Sequence, residues 1–140
     1  MSAARHSIGV EVRYAETDAM GIVHHSNYLV WFELARTHLC RQTGKDYAAI
    51  ERDGHQLTVT RSDLRYRRPA RYGDSVVVTA WIDDLASRRV RFGYEVQRTE
   101  DLLTTGTTEH IWIDRTGRPC RGPEALMPAF RRLAGIEESP

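Results

Sequence analysis

The chain lacks several features that mark particular classes of protein. Only two cysteines, Cys40 and Cys120, occur in 140 residues, and they are too far apart in sequence for a paired metal-binding motif. We therefore expect free thiols rather than a disulfide or a metal site. No stretch approaches the roughly 20 apolar residues that cross a bilayer. The first seven residues also lack the apolar run of a secretory signal, so we expect a cytoplasmic protein without membrane insertion.

The chain also has little net charge and little lysine. The formal net charge is +1, which does not favour general nucleic-acid binding. Lys45 is the only lysine, so arginine carries nearly all of the positive charge. Guanidinium groups suit phosphate recognition, which makes clusters of arginine candidate binding groups. The apolar content of 41% is enough to build a core, and the length suits a single domain over residues 1–140.

The hydrophobic pattern predicts one long helix and about five strands. Alternation from Ile8 to Tyr14 predicts a strand with one buried face. Residues Tyr28 to Gln42 predict a helix whose first turns are buried on almost every side, capped by Ser26 or Asn27 and stopped by Gly44. Further strands are predicted over residues 57–67, 75–83, 88–98 and 103–114, and short helices over residues 46–52 and 123–133.

One early apolar helix followed by long β-rich segments predicts an α+β fold. In that arrangement a curled antiparallel sheet of about five strands wraps around the single long helix. Such a sheet leaves exposed edges, and a second copy of the chain could cover them. We therefore expect a homo-oligomer, either a dimer or a dimer of dimers, which is a homotetramer.

The candidate chemistry lies between Tyr14 and Tyr28. Asp18 stands in a loop, Gly21 follows, and a polar stretch then opens the buried helix. The first backbone N–H groups of a helix lack internal partners and carry partial positive charge, so they can polarise a carbonyl. A carboxylate nearby could attack that carbonyl or activate water against it. On the residues alone, however, a loop Asp beside Thr17 is more often an Asx turn or a cap.

The same segment resembles the signature of the 4-hydroxybenzoyl-CoA thioesterase family of hot-dog proteins, and is especially similar to its Tol-Pal-associated acyl-CoA thioesterase branch. The matching residues are Tyr14, Glu16, Thr17, Asp18, Gly21, Ile22, Val23, His25 and Tyr28. The similarity extends to residues 31–36, 66–74 and 117–119, and in all covers roughly Val10 to Pro123.

The resemblance implies a hot-dog fold and a hydrolase for short-chain, medium-chain or aromatic acyl-CoA. No separate cofactor is implied, since coenzyme A is part of the substrate. Asp18 would be the catalytic carboxylate, as nucleophile or general base. The backbone N–H of His25 would polarise the thioester carbonyl, and Gly21 would let the loop approach the acyl group. The His25 ring would either orient water or be an ordinary histidine at a helix start.

Further residues are implied to contact the substrate. Tyr14 and Tyr28 belong to the matching segment and are expected beside the acyl thioester. In relatives, basic residues near the turn that precedes Arg91 reach the phosphates of coenzyme A, which implies this role for Arg88 and Arg89.

Other assignments stay open at this point. Some hot-dog thioesterases use a glutamate of the central helix, which makes Glu33 a rival to Asp18, although an ion pair with Arg36 also explains it. His25 keeps open a dehydratase or hydratase acting on acyl thioesters, and a non-catalytic acyl-CoA-binding protein is a second alternative. The chain has no Gly-x-Ser-x-Gly elbow to suggest a serine triad.

Overall fold

The computed structural model describes residues 2–45 and 47–136. Over these residues the strands form one antiparallel sheet in the order β1-β3-β4-β5-β2, with a long helix packed against it. A short 3-10 turn at Tyr14–Glu16 connects the first strand to that helix. The elements are β1 (His6–Glu11), α1 (Asn27–Arg41), α2 (Tyr47–Arg52), β2 (Gln56–Tyr66), β3 (Ser75–Leu85), β4 (Arg89–Arg98), β5 (Asp101–Ile113) and α3 (Met127–Leu133).

The sheet buries one face because its sequence alternates. In β3, the alternate residues Val76, Val78, Ala80 and Ile82 are all buried. This period of two places their side chains on the face that meets the helix. Strands β3, β4 and β5 follow one another as a meander, which confirms the predicted antiparallel arrangement. Strand β2 precedes them in the chain but pairs with β5 at the edge of the sheet.

Helix α1 packs on the sheet through one broad apolar face. Phe32 is fully buried, and its ring stacks on that of Tyr94 in β4, with centroids 4.2 Å apart. The opposite side of the helix is open in this chain, where Leu29, Val30 and Leu34 are 38%, 50% and 46% exposed. The prediction that the first turns are buried on almost every side was therefore wrong, because the sheet covers only one side of the helix.

The first strand ends earlier than the alternation predicts. Glu11 pairs with Ser75, the first residue of β3, so no ladder partner remains beyond it. Val12 N–H still donates to Asp74 O at 2.9 Å, after which the chain turns away. Tyr14 consequently lies 76% exposed instead of on the buried face of a strand.

The two short helices differ slightly from the prediction. Helix α2 confirms the predicted helix from Tyr47 onward, while Asp46 lies outside the described residues. Helix α3 begins only at Met127, because residues 123–126 form a turn in which Leu126 N–H donates to Pro123 O. Cys40 and Cys120 are not joined by a disulfide, as predicted. Within the described ranges, no helix has the length and apolar character needed to cross a bilayer.

The contact between Phe32 of α1 and Gly106 of β5 yields a test of the packing. A Cβ added at Gly106 would lie 2.7 Å from the Phe32 ring and 3.0 Å from the Asp63 carbonyl oxygen. We expect Gly106→Ala to lower the free energy of unfolding by about 1–3 kcal/mol in urea denaturation, because the helix must shift. Gly9→Ala is the control, since its added Cβ meets nothing within 4 Å. Equal stabilities of the two variants would contradict this packing.

Candidate active site

One cavity joins the loop after the 3-10 turn, the start of α1 and the end of β2. Its volume is about 280 Å³. An isolated bridge between Thr17 and Val23 closes the loop on itself, and a second one between Ile22 and Arg71 brings it against the chain that leaves β2. Val23 N–H also donates to Ala70 O at 2.9 Å. The lining residues are Asp18, Met20, Ile22, Val23, His25, Tyr28, Tyr66, Arg67, Arg68 and Pro69.

Asp18 is held in this cavity by a tight local turn. Its Oδ1 accepts the backbone N–H of Met20 at 2.8 Å, and its own N–H donates to Ile22 O at 2.8 Å. Gly21 closes the turn with a φ of 79°, a conformation that favours glycine. Asp18 is therefore both the Asx turn and the cavity carboxylate that the sequence suggested. No described residue forms a hydrogen bond with its Oδ2, which is available to a ligand.

The backbone N–H of His25, at the entrance of α1, is left unused by its neighbours. His24 N–H donates to Glu16 O at 2.8 Å, and Asn27 N–H donates to His24 O at 3.0 Å. Ser26 N–H donates to His24 Nδ1 at 3.2 Å. Among the described residues, none accepts the N–H of His25. This is the N–H that the resemblance assigns to the thioester carbonyl, and its place before the first helical turn gives it partial positive charge.

His24 organises this entrance, although the sequence suggested no role for it. Its Nδ1 accepts the Ser26 backbone N–H, which leaves the ring proton on Nε2, and the Ser26 hydroxyl lies 2.8 Å from the same nitrogen. Ser26 occupies the N-cap position but its side chain does not cap the helix. The His24 ring also lies against that of His25, with centroids 4.1 Å apart.

Glu16 ties the loop to the helix. Its side chain is 4% exposed, and its carboxylate accepts Trp31 Nε1–H and the Arg13 backbone N–H, both at 2.8 Å. Its backbone oxygen accepts the side-chain amide of Asn27 at 2.9 Å. Burial acts to raise the pKa of Glu16. The hydrogen bonds from Arg13 and Trp31 and the Arg13 charge outweigh it, so the pKa lies below its usual value.

Two tyrosines complete the wall nearest the helix entrance. Tyr28 is buried, and its ring meets that of Tyr66 edge-on, with centroids 5.3 Å apart. The Tyr66 hydroxyl donates to His25 O at 3.2 Å. Burial, with a smaller contribution from the Tyr28 phenol, raises the pKa of Tyr66, which keeps this hydroxyl protonated. Tyr66 lies within a matching segment, but nothing in the linear sequence places it beside the helix entrance.

Three predicted residues lie elsewhere in this chain. Tyr14 does not line the cavity; its ring meets Tyr72 edge-on at the surface. Arg88 and Arg89 lie at the turn between β3 and β4, whereas the Asp18 loop attaches at the other end of β3. An 11-residue strand spans roughly 30 Å or more, so these arginines are remote from Asp18 within one chain.

Glu33 also lies outside the cavity. Its side chain is exposed on α1 and it is absent from the lining residues. The cavity instead contains Arg67 and Arg68, to which the sequence assigned no role even though they stand in a matching segment. Their adjacency at the end of a strand was the available signal, but only the fold brings that strand end to the Asp18 loop.

The buried Glu16 carboxylate yields a prediction about acid stability. A carboxyl group whose pKa is lowered in the folded state stabilises the fold above its unfolded pKa, and this stabilisation is lost as pH falls through the folded pKa. We expect Glu16→Gln to lower the free energy of unfolding by about 1–3 kcal/mol at pH 7. The difference from the wild type should shrink as urea denaturation is repeated at falling acidic pH. A difference that stays constant with pH would contradict the role of the charge.

Comparison with known proteins identifies the family. The sequence model of the Thioesterase-like superfamily matches residues 12–130. YneP of Bacillus subtilis, which carries the provisional name acyl-CoA thioesterase, is 40% identical over 107 residues, covering 76% of this chain and 78% of its own. The acyl-CoA thioester hydrolase YbgC of Escherichia coli O157:H7 is 28% identical over 88% of this chain and 93% of its own.

A solved structure supports the same relationship. The DHNA-CoA thioesterase of Staphylococcus aureus superposes with a TM-score of 0.85 at 33% identity, over 94% of this chain and 89% of its own. The predicted hot-dog fold is thereby confirmed, with its five-stranded antiparallel sheet and central helix. Sequence and structure agree that this chain belongs to the thioesterase-like superfamily of hot-dog proteins.

Proposed function

We propose that this protein hydrolyses acyl-CoA thioesters to a free acid and coenzyme A. The observation that carries the proposal is the meeting of Asp18 with the entrance of α1, where the His25 N–H has no acceptor among the described residues. A carboxylate and a polarising N–H at one cavity are the minimum needed for acyl transfer to water. The names of YneP, YbgC and the S. aureus enzyme support this class of reaction.

The thioester carbonyl oxygen accepts the His25 N–H, which stabilises the negative charge that develops on that oxygen. Asp18 then acts in one of two ways. As a general base it takes a proton from water, whose oxygen attacks the carbonyl carbon. As a nucleophile it forms an acyl anhydride that water later hydrolyses. In both routes the carbon–sulfur bond breaks and coenzyme A leaves as a thiolate, which needs little acid assistance.

The cavity wall suits a short-chain, medium-chain or aromatic acyl group. Met20, Ile22, Val23, Tyr28 and Pro69 provide apolar lining next to Asp18. A volume of about 280 Å³ is at the small end for a ligand pocket. The cavity therefore fits the acyl end of the substrate and not the whole of coenzyme A.

The phosphates of coenzyme A require a second site. We retain Arg88 and Arg89 for this role, and because they are remote from Asp18 in one chain, they act on the cavity of another copy. The proposal therefore includes a homo-oligomer, a dimer or a dimer of dimers. Strands β1 and β2 are the sheet edges that a second copy could cover. A cytoplasmic location and membership of the Tol-Pal-associated branch stay predictions from the sequence.

Substitution of Asp18 by asparagine, its amide analogue, tests its role. We expect Asp18→Asn to lower kcat by roughly 10²–10⁴, with a modest change in substrate binding, because the acid–base or nucleophilic group is lost while its shape is kept. The rate at which free thiol is released from a panel of acyl-CoA esters measures this decrease in kcat. Glu33→Gln is the control and should keep wild-type turnover, since Glu33 lies outside the cavity.

Several outcomes of that assay would overturn the proposal. Wild-type turnover by Asp18→Asn would remove Asp18 from the chemistry. A change at the acyl double bond without thiol release would favour the dehydratase or hydratase alternative. Saturable acyl-CoA binding without any thiol release, even at high protein concentration, would favour a binding protein.

The phosphate role is tested separately with Arg88→Ala. We expect this variant to raise KM for CoA esters more than for N-acetylcysteamine thioesters of the same acyl group, which lack the nucleotide. Equal effects on the two kinds of substrate would argue against phosphate recognition by Arg88.

A further inference from the structure

Two consecutive arginines border the cavity that contains Asp18. Arg67 and Arg68 follow directly after β2, and both line the cavity. Their backbone N–H groups donate to the same acceptor, Leu103 O, at 2.8 and 3.1 Å. The main chain is thereby fixed to β5 at this point, so both side chains start from a rigid base.

The charge of Arg68 is already compensated within the protein. Its guanidinium lies 3.3 Å from the Asp101 carboxylate. Arg98 approaches the same carboxylate at 3.8 Å and pairs more closely with Asp74, at 2.8 Å. Hydrogen bonding and the charge of Asp74 raise the pKa of Arg98, as expected of a guanidinium held in such a network. Arg68 therefore has an internal partner.

Arg67 has no such partner. Within residues 2–45 and 47–136, its side chain forms no ion pair and no hydrogen bond to any other residue. The other charged or readily titrated side chains on the cavity wall are Asp18, His25 and Arg68. A guanidinium offers a planar fork of N–H donors that fits a carboxylate or a phosphate. Arg67 thus places an uncompensated anion-binding group on a cavity wall that is otherwise mostly apolar.

We propose that Arg67 receives an anionic group of the thioester substrate, a proposal that rests on the hydrolase function given above. The acyl group is the nearer source of that anion. Arg67 and Asp18 share one cavity of about 280 Å³, whereas the long pantetheine arm separates the phosphates of coenzyme A from the thioester. An acyl group that bears a carboxylate or an ionised phenol places its charge within the same cavity as the scissile carbonyl.

Kinetics of Arg67→Ala on four substrates test the proposal. The substrates are a neutral acyl group and a carboxylate-bearing acyl group of similar size, each as its CoA ester and as its N-acetylcysteamine thioester. We expect the variant to raise KM about 10-fold to 100-fold for the carboxylate-bearing acyl group on both carriers, because a charged hydrogen bond is lost, with little change in kcat. Arg65→Ala is the matched control, an exposed arginine of β2 that does not line the cavity.

The pattern of losses identifies the source of the anion. An increase in KM that is confined to the two CoA esters supports the proposal with a phosphate as the anion. If the KM and kcat of Arg67→Ala match those of Arg65→Ala on all four substrates, the proposal is overturned. Because Arg67 is exposed, the urea midpoint of the variant should equal that of the wild type, which separates a binding defect from unfolding.

Calorimetric binding keeps this test independent of the hydrolase proposal. Coenzyme A and the dicarboxylic acid product of the carboxylate-bearing substrate are titrated into the wild type and Arg67→Ala. If the wild type hydrolyses none of the thioesters, the proposed function fails. The Arg67 proposal is still supported by binding of either ligand that is at least about 10-fold weaker in the variant. Equal dissociation constants for both ligands overturn it.

Discussion

The buried carboxylate of Glu16 is the interaction on which the site depends. It joins the 3-10 turn to α1 through Trp31, while the backbone oxygen of the same residue holds the side chain of Asn27 and the N–H of His24. The side chain and the backbone oxygen of Glu16 therefore both connect the loop to the helix entrance. This connection sets the position of the loop that carries Asp18 relative to the helix entrance, where the His25 N–H lies.

The hydrogen-bond pattern around that connection explains why one N–H stays available. Glu16 O accepts the N–H of His24 and His24 Nδ1 accepts the N–H of Ser26, whereas the N–H of His25 between them has no acceptor among the described residues. The Asp18 carboxylate is also only partly engaged, because the turn that contains it uses Oδ1 and leaves Oδ2 without a hydrogen bond among the described residues. The His25 N–H and Asp18 Oδ2 thus stay available to a ligand while their neighbours are held by hydrogen bonds, a preorganisation that suits a site which must stabilise developing charge.

Much of the architecture could be predicted from the sequence, because period-two alternation and one apolar helix specify the sheet and the element that it covers. The end of β1 could not, since it depends on where β3 begins and not on the alternation of residues 8–14. The exposed side of α1 was missed because a run such as Leu29-Val30 does not show which face the sheet will cover.

The sequence predicts the site residues that lie in one continuous segment, but not those that the fold brings in from distant parts of the chain. Asp18, Gly21, His25 and Tyr28 lie in one segment, and the cavity brings Asp18, His25 and Tyr28 together. Tyr66 and Arg67 lie at the end of β2, and only the folded structure shows that they line the same cavity as Asp18. The same topology separates Arg88 and Arg89 from Asp18, which no reading of the linear sequence could show.

The most direct test of the site is a crystal structure of the protein with a non-hydrolysable acyl-CoA analogue, in which an amide replaces the thioester. We predict that the amide oxygen lies about 3 Å from the His25 backbone nitrogen, with the Asp18 carboxylate beside the carbonyl carbon. A bound analogue whose carbonyl lies away from His25, for instance beside Glu33 on the open face of α1, would contradict the assignment of this cavity as the active site.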